Sequence, residues 1–309
     1  MDIKAYGDIV ACLPQGRTLF SYGRDKFAPM LLGYLLNSGW DTNSIRQSQF
    51  KRLCERPPVK ALLAAQGRMD LTLAQMAFAQ INDEKIWRLS LSRWGNSKNF
   101  RWNQNSRRGC SLVLQLNFSN EHDVHFRRLF PFAKWPLFNF DCHPVSKTAN
   151  TLAWARIDLD LDRNEALIEE IQSDWVRRVN SAVEQPQLFL KRYQRHLSEP
   201  QSLPAPDAFK AAVQKYRDDI LPKFAKDWQE ITMAACLFFT FEELGLSRVY
   251  MHECETGNRL KGLEGDWSFH HDQSIQNCHE NSAFQMSITA PNFLMHVFKN
   301  FKRALDPSP

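Results

Sequence analysis

"NTLAWARIDLDLDRNEALIEEIQSDW", residues 150–175, decides the fold. Its two arms alternate apolar and polar residues as half-buried strands do. Asp162, Arg163 and Asn164 between them are turn formers. The stretch therefore predicts a β-hairpin over 151–173. Its closing octet, "IEEIQSDW" (168–175), sets two glutamates, a glutamine, an aspartate and a tryptophan at a strand end. That is either a solvated edge that caps the next helix or the working end of a site.

Side-chain alternation puts Trp154, Arg156 and Asp158 on one face of the first arm. Ile168, Glu170, Gln172 and, past the strand end, Asp174 share one face of the second. A five-residue loop over 162–166 brings Asp158 near Glu170 and Arg156 near Gln172, with Ala155, Ile157 and Ile171 on an apolar opposite face. A four-residue loop shifts the pairing by one and sets Glu170 opposite Ile157, mixing the two faces. The five-residue loop is the expected one on burial grounds. Glu169 then falls on the apolar side and needs an edge or a partner.

Outward from the hairpin, "KIWRLSLSRW" (85–94) and "SLVLQLNF" (111–118) also alternate and predict strands, joined by a polar, basic loop over 96–109. Residues 119–150 read as irregular, with Pro131, Pro136 and Pro144 among many aromatics, a composition that suits a functional loop packed by its own side chains. Within it, His122 and His125 have a spacing suited to one helix face but read better as a surface turn. Helices are expected after 173, over 186–200, over 207–223, and over 226–244 to a stop at Gly245; a strand follows at 247–253. The first hundred residues read as mainly helical, with segments at 27–39, around Pro57-Pro58, and at 70–81 behind an Asp70 cap; a basic amphipathic helix is expected at 291–305. The fold class is α+β: a mostly antiparallel sheet with a central hairpin, packed by helices, a helical N-terminal part over 1–84 and a core over 85–309.

The chain has 309 residues, 43% hydrophobic and 24% charged, so it is long enough and apolar enough for a sizeable core. Its 22 Phe and 9 Trp fit a bulky core better than a base-stacking surface. A net charge of +5 falls short of the dense basic stripe of a dedicated nucleic-acid binder. The seven cysteines are widely spaced with no CxxC, which argues against a disulfide framework. The first residues lack the basic start and apolar run of a secretory signal, and the longest apolar run, 233–241, is too short for a bilayer. The expectation is a cytoplasmic protein with no membrane partner. No GxGxxG, Walker, HExxH or GxSxG pattern occurs.

The hairpin string, 150–175, resembles a segment of large multidomain (polyvalent) phage and mobile-element proteins, in which a strand, a charged turn and an EIQSDW-type strand end follow in this order. The likeness resumes at "PKFAKDWQEITMAACLFFTFEELGLSRVYM" (222–251), where that family has a Trp-containing helix, a glycine, a short apolar strand and then Thr-Gly, here Thr256-Gly257. "YLLNSGWDTNSIRQSQFKRLCE" (34–55) is similar to the helical segment before the family's hairpin. The resemblance implies a context and a site, and carries no reaction. Two departures stand out: Val176-Arg177 follows EIQSDW where the family has His-Gln, and the charged "HECE" (252–255) precedes Thr256.

The candidate site follows. Glu170 is the expected general acid or base, with Gln172 to hydrogen-bond an amide or base edge and Asp174 to orient a water or a metal. Arg156 would bind a phosphate or carboxylate, and Trp154 and Trp175 would flank the ligand or shield the core. His252, Glu255 and Thr256, after the last strand, form a second tier of binding residues. Lys98, Arg101, Arg107 and Arg108, interleaved with Phe100 and Trp102, suit single-stranded nucleic acid, although a plain solvated loop is the favoured reading of this stretch. No metal site is expected, since the late His and Cys residues lack ligand spacing, and no cofactor is indicated. Two functions are open: a transferase or hydrolase that cleaves or transfers a glycosidic or phosphoryl bond of a nucleotide or nucleic acid, or a non-catalytic module that grips nucleic acid or a host or phage protein.

Overall fold

The computed structural model describes residues 1–13, 17–23, 25, 28–37, 39–65, 84–96, 98, 105–133, 137–140 and 142–251. They divide into two units, one of Met1–Phe20 and the residues from Trp87 onward, the other of Ser21–Ile86. The helices expected at 70–81 and 291–305 lie outside the described residues.

Six strands form one sheet in sequence order: β1 (Arg17–Gly23), β2 (Glu84–Trp94), β3 (Ser111–Asn117), β4 (Thr151–Asp160), β5 (Glu165–Gln172) and β6 (Arg248–Met251). The chain is α+β, with the expected hairpin as β4 and β5. From β2 to β5 each strand runs antiparallel to the next, but β6 lies parallel to β5, with Glu165 opposite Arg248 and Ile168 opposite Met251. The sheet is thus mixed, which corrects the expectation of a mostly antiparallel one. The helices between Asp174 and Glu243 carry the chain back across the sheet, the long crossover that a parallel neighbour requires. The N-terminal part is also corrected: β1 interrupts its helices, with Phe20 and Tyr22 buried and Leu19 exposed in strand alternation.

The hairpin turn spans four residues, Leu161 to Asn164, not five. Asn164 closes it at φ +60°, a left-handed conformation that asparagine tolerates. Pairing runs from Asp160 opposite Glu165 to Ile157 opposite Ile168; then Glu169 is inserted as a bulge, and Arg156 meets Glu170 while Trp154 meets Gln172. The expected partners are therefore wrong by one pair, since Arg156 does not face Gln172. The face assignment survives for Glu170 and Gln172, because the extra residue restores the parity that the shorter loop removes; Ile168, expected on their face, lies before the bulge and falls instead on the apolar side opposite Ile157.

One side of the sheet is apolar. Leu112, Leu114, Leu116, Ala153, Ala155, Ile157, Ile168 and Ile171 are all buried there. Helix Trp228–Phe238 packs on β3, β4 and β5, and helix Asp174–Glu184 packs on β4. The latter begins where Ser173 Oγ accepts the Val176 N–H at 3.2 Å, and it buries Trp175, Val179, Ala182 and Val183 along one stripe.

The segment 119–150, expected to be irregular, opens with a helix, Asn120–Leu129. It places His122 inside the molecule, stacked on Phe118 at 3.6 Å, which corrects the surface-turn reading of His122 and His125. Trp175 Nε1 donates to Tyr216 Oη at 2.8 Å, so the Tyr216 hydrogen is left to donate to His122 Nε2 at 2.7 Å. His122 then carries its proton on Nδ1, toward Asp123 Oδ1 at 3.2 Å. Burial pushes the His122 pKa down, which keeps the ring neutral as this tautomer requires.

In the second unit, Leu32, Leu35, Ile45, Leu53 and Val59 form a separate small core between short helices. Pro57 starts the helix Pro57–Ala65, and Arg56 holds Asp25 at 2.7 Å.

Candidate active site

The other side of the sheet is polar, and it is buried. Ser111, Gln115 and Asn117 of β3, Trp154, Arg156 and Asp158 of β4, and Glu169, Glu170 and Gln172 of β5 are all buried. This excludes the solvated-hairpin alternative. A buried polar face must be hydrogen-bonded throughout, and this one is knitted across strands. Asn117 donates to Ser90 Oγ at 2.7 Å, Ser90 to Gln115 Oε1 at 2.7 Å, and Gln115 Nε2 to the Pro144 carbonyl at 2.6 Å. That last bond fixes the segment around His143 over the sheet.

Glu170 accepts from Arg156 at 2.5 Å, and both are nearly inaccessible. The bulge turns the consecutive Glu169 to the same face, where it accepts from the Ser106 N–H at 2.6 Å and from Ser111 Oγ at 2.8 Å. This is the partner that the sequence demanded for Glu169. Gln172 Nε2 donates to Asp174 Oδ1 at 2.7 Å. Trp154 Nε1 donates to Asp174 Oδ2 at 2.8 Å. Trp175, by contrast, is fully buried on the helix side among Phe118, Phe126 and Phe138, so its ring belongs to the core and is not a stacking surface for a ligand.

Asp174 is the hub. Besides Gln172 and Trp154 it takes His143 Nδ1 at 2.8 and 2.9 Å on its two oxygens, and Arg177 Nη2 on Oδ1. A carboxylate offers about four lone-pair sites, and here protein donors occupy them. Asp174 therefore orients a side chain, not the water or metal that the sequence suggested. Burial would raise its pKa, but the hydrogen bonds from His143 and Trp154 and the charge of Arg177 outweigh it and hold the carboxyl below the usual aspartate range.

His143 is the residue that sequence reasoning missed. The ionised Asp174 can only accept, so His143 carries its proton on Nδ1 and the lone pair of the neutral ring sits on Nε2. The Gln172 amide, 3.2 Å from Nδ1, then serves Asp174 and not the ring. Among the described residues Nε2 has no partner, and the side chain is 20% exposed. The ring is held edge-on by Phe140 at 4.7 Å, Trp154 at 5.5 Å and Trp94 at 6.2 Å between ring centroids. A fixed imidazole with one carboxylate-bound nitrogen and one available nitrogen is the arrangement of a general base.

The basic loop is placed only in part. Arg107 donates to Asp158 at 2.5 Å, to Asp160 at 3.2 Å and to the Leu159 carbonyl at 2.7 Å, so it braces β4 and is not presented to a phosphate chain. Lys98 and Arg108 are exposed. Arg101 and the second-tier residues His252, Glu255 and Thr256 lie outside the described residues. Among the described residues no group of three or more His, Cys, Asp or Glu is placed to hold a metal ion, and no helix is long and apolar enough to cross a membrane.

Comparison with protein-family models, curated proteins and solved structures finds no match for this chain.

The hub gives a pH expectation. The folded pKa of Asp174, and that of Asp123, lies below the unfolded value. Their stabilising effect is thus complete above the ordinary carboxylate range and is lost as pH falls through the lower folded value. A thermal-unfolding series on the acid side should show Tm falling with pH, less steeply in Asp174→Asn than in the native chain. Equal slopes in the two proteins would refute an ionised Asp174.

Proposed function

We propose that this chain is an acid–base enzyme, a hydrolase or transferase, which acts on a nucleotide or nucleic acid at the buried polar face of its sheet. The observation that carries this is the His143–Asp174 contact, with Nε2 of His143 the available nitrogen. Nε2 takes a proton from a water or hydroxyl; its oxygen bonds to the reacting phosphorus or anomeric carbon as the bond to the leaving group breaks. The imidazolium, facing ionised Asp174, returns the proton to the leaving atom. Gln172 and Trp154 keep Asp174 in place, and the Arg156–Glu170 pair forms a charge-balanced floor beside them. Glu170, the base expected from sequence, has its charge matched by Arg156 and is the poorer candidate. Phe140 and Trp94 add aromatic walls suited to a planar ring. The phage or mobile-element setting belongs to this reading through the likeness of residues 150–175, and a cytoplasmic location through the widely spaced cysteines, of which those described are free thiols.

The test is a substrate panel of nitrophenyl phosphate mono- and diesters, nucleosides, nucleoside monophosphates and short oligonucleotides, assayed with the native chain and His143→Ala. Turnover of at least one substrate that His143→Ala abolishes is the expected result. No turnover across the panel, or turnover that survives the substitution, would overturn the proposal.

A further inference from the structure

We infer that Arg177 anchors an anionic group beside His143, so the ligand of this site is a phosphate ester and not a neutral molecule. This rests on the reading of His143 as the base and names the substrate class for it.

Arg177 and His143 share one carboxylate. Arg177 Nη2 donates to Asp174 Oδ1, and His143 Nδ1 lies 2.9 Å from the same oxygen. The guanidinium and the imidazole are therefore neighbours, each tied by one nitrogen. The Arg177 side chain is 42% exposed while Asp174 is 2% exposed, so the positive group faces outward and its counter-charge lies behind it. A guanidinium has five N–H donors. Apart from the bond to Asp174, those of Arg177 have no partner among the described residues. Its planar fork matches the oxygens of a phosphate.

The next residue does a different job. Arg178 lies over the rings of Phe140 at 5.5 Å and Phe189 at 4.9 Å, a packing role. Of the two arginines in this first helical turn, only Arg177 is hung from the hub.

Inorganic phosphate is the probe. Titrated into the full chain, it should bind saturably and shift the imidazole resonances of His143 in nitrogen-15 NMR. Arg177→Ala should weaken binding about tenfold or more, Arg177→Lys should recover part of it, and Arg192→Ala on an exposed surface should leave it unchanged. The Nδ1–H signal of His143 reports whether each variant keeps the dyad. Absence of saturable binding, a native-like affinity in Arg177→Ala with the dyad intact, or an equal loss in Arg192→Ala would each overturn the inference. His143→Ala should keep its phosphate affinity, so a failure of the catalytic proposal and a failure of this one are told apart.

Discussion

Arg156→Met should lower the unfolding free energy by about 3–5 kcal/mol, because it removes the guanidinium that matches the buried charge of Glu170. The pair is 2.5 Å apart, with side-chain exposures of 1% and 7%, so water cannot take over the missing role. Both charges sit on adjacent central strands, where the backbone has no freedom to turn Glu170 outward. The matched double variant, Arg156→Met with Glu170→Leu, removes both charges and retains side-chain bulk. It should recover most of the loss, since an apolar pair of similar volume replaces a buried ion pair at little cost. Urea unfolding of the native chain, both single variants and the double variant closes the cycle. A single-variant effect below about 1 kcal/mol, or a double variant no more stable than Arg156→Met, would show that the pair behaves like an exposed one. Turnover of the double variant tells what Glu170 does: a structural pair can be lost together with activity retained, whereas loss of a catalytic base abolishes turnover in a folded protein.

Much of this arrangement was legible in the sequence, and the parts that were not have physical causes. Period-two alternation gave the hairpin and sorted Arg156, Glu170 and Gln172 from Ile157 and Ile171, because burial leaves no tolerance for mixed faces. Alternation cannot count a bulge, however. Two consecutive glutamates, Glu169 and Glu170, were the visible trace of one, since both need polar partners and a regular strand would bury one of them in the apolar layer. The direction of β6 was illegible because it is decided by how the intervening helices return the chain, not by the composition of four residues. Helix Asn120–Leu129 escaped a hydrophobic-period search because few of its residues are apolar. Its end signals were nonetheless present: Ser119 accepts the His122 N–H, Glu121 and Asp123 stand in the first turn, and Arg127 and Arg128 in the last. His143 is the instructive miss. It lies 31 residues from Asp174, and no local motif joins them. The turn around Pro144 and the Gln115 bond to its carbonyl bring them together. A catalytic pair closed by tertiary structure leaves only a hint in sequence, here a histidine beside Pro144 in an aromatic-rich, proline-broken segment.

Asp174→Asn should reduce turnover by about 10²–10⁴-fold without abolishing substrate binding. The substitution keeps size and shape but alters what Nδ1 of His143 faces. Asparagine presents one acceptor and one donor where aspartate presents two acceptors. The donors Trp154, Gln172 and Arg177 compete for the single oxygen, so the amide N–H is the group left to turn toward the imidazole. His143 then receives a hydrogen bond at Nδ1 and must carry its proton on Nε2, the nitrogen that has to accept one. The imidazolium formed during turnover also loses the negative charge beside it. Both effects act on the reacting state more than on the bound state, so kcat should fall while KM changes little. Positioning is separated from mere damage by the KM-against-kcat split: loss of the carboxylate should lower kcat with KM held, whereas a loosened fold would weaken substrate binding as well. Nitrogen-15 NMR of His143 gives an independent reading, with the proton on Nδ1 in the native chain and on Nε2 in Asp174→Asn. An unchanged tautomer together with an unchanged kcat would mean that Asp174 serves the fold alone, and that the base lies elsewhere on the polar face.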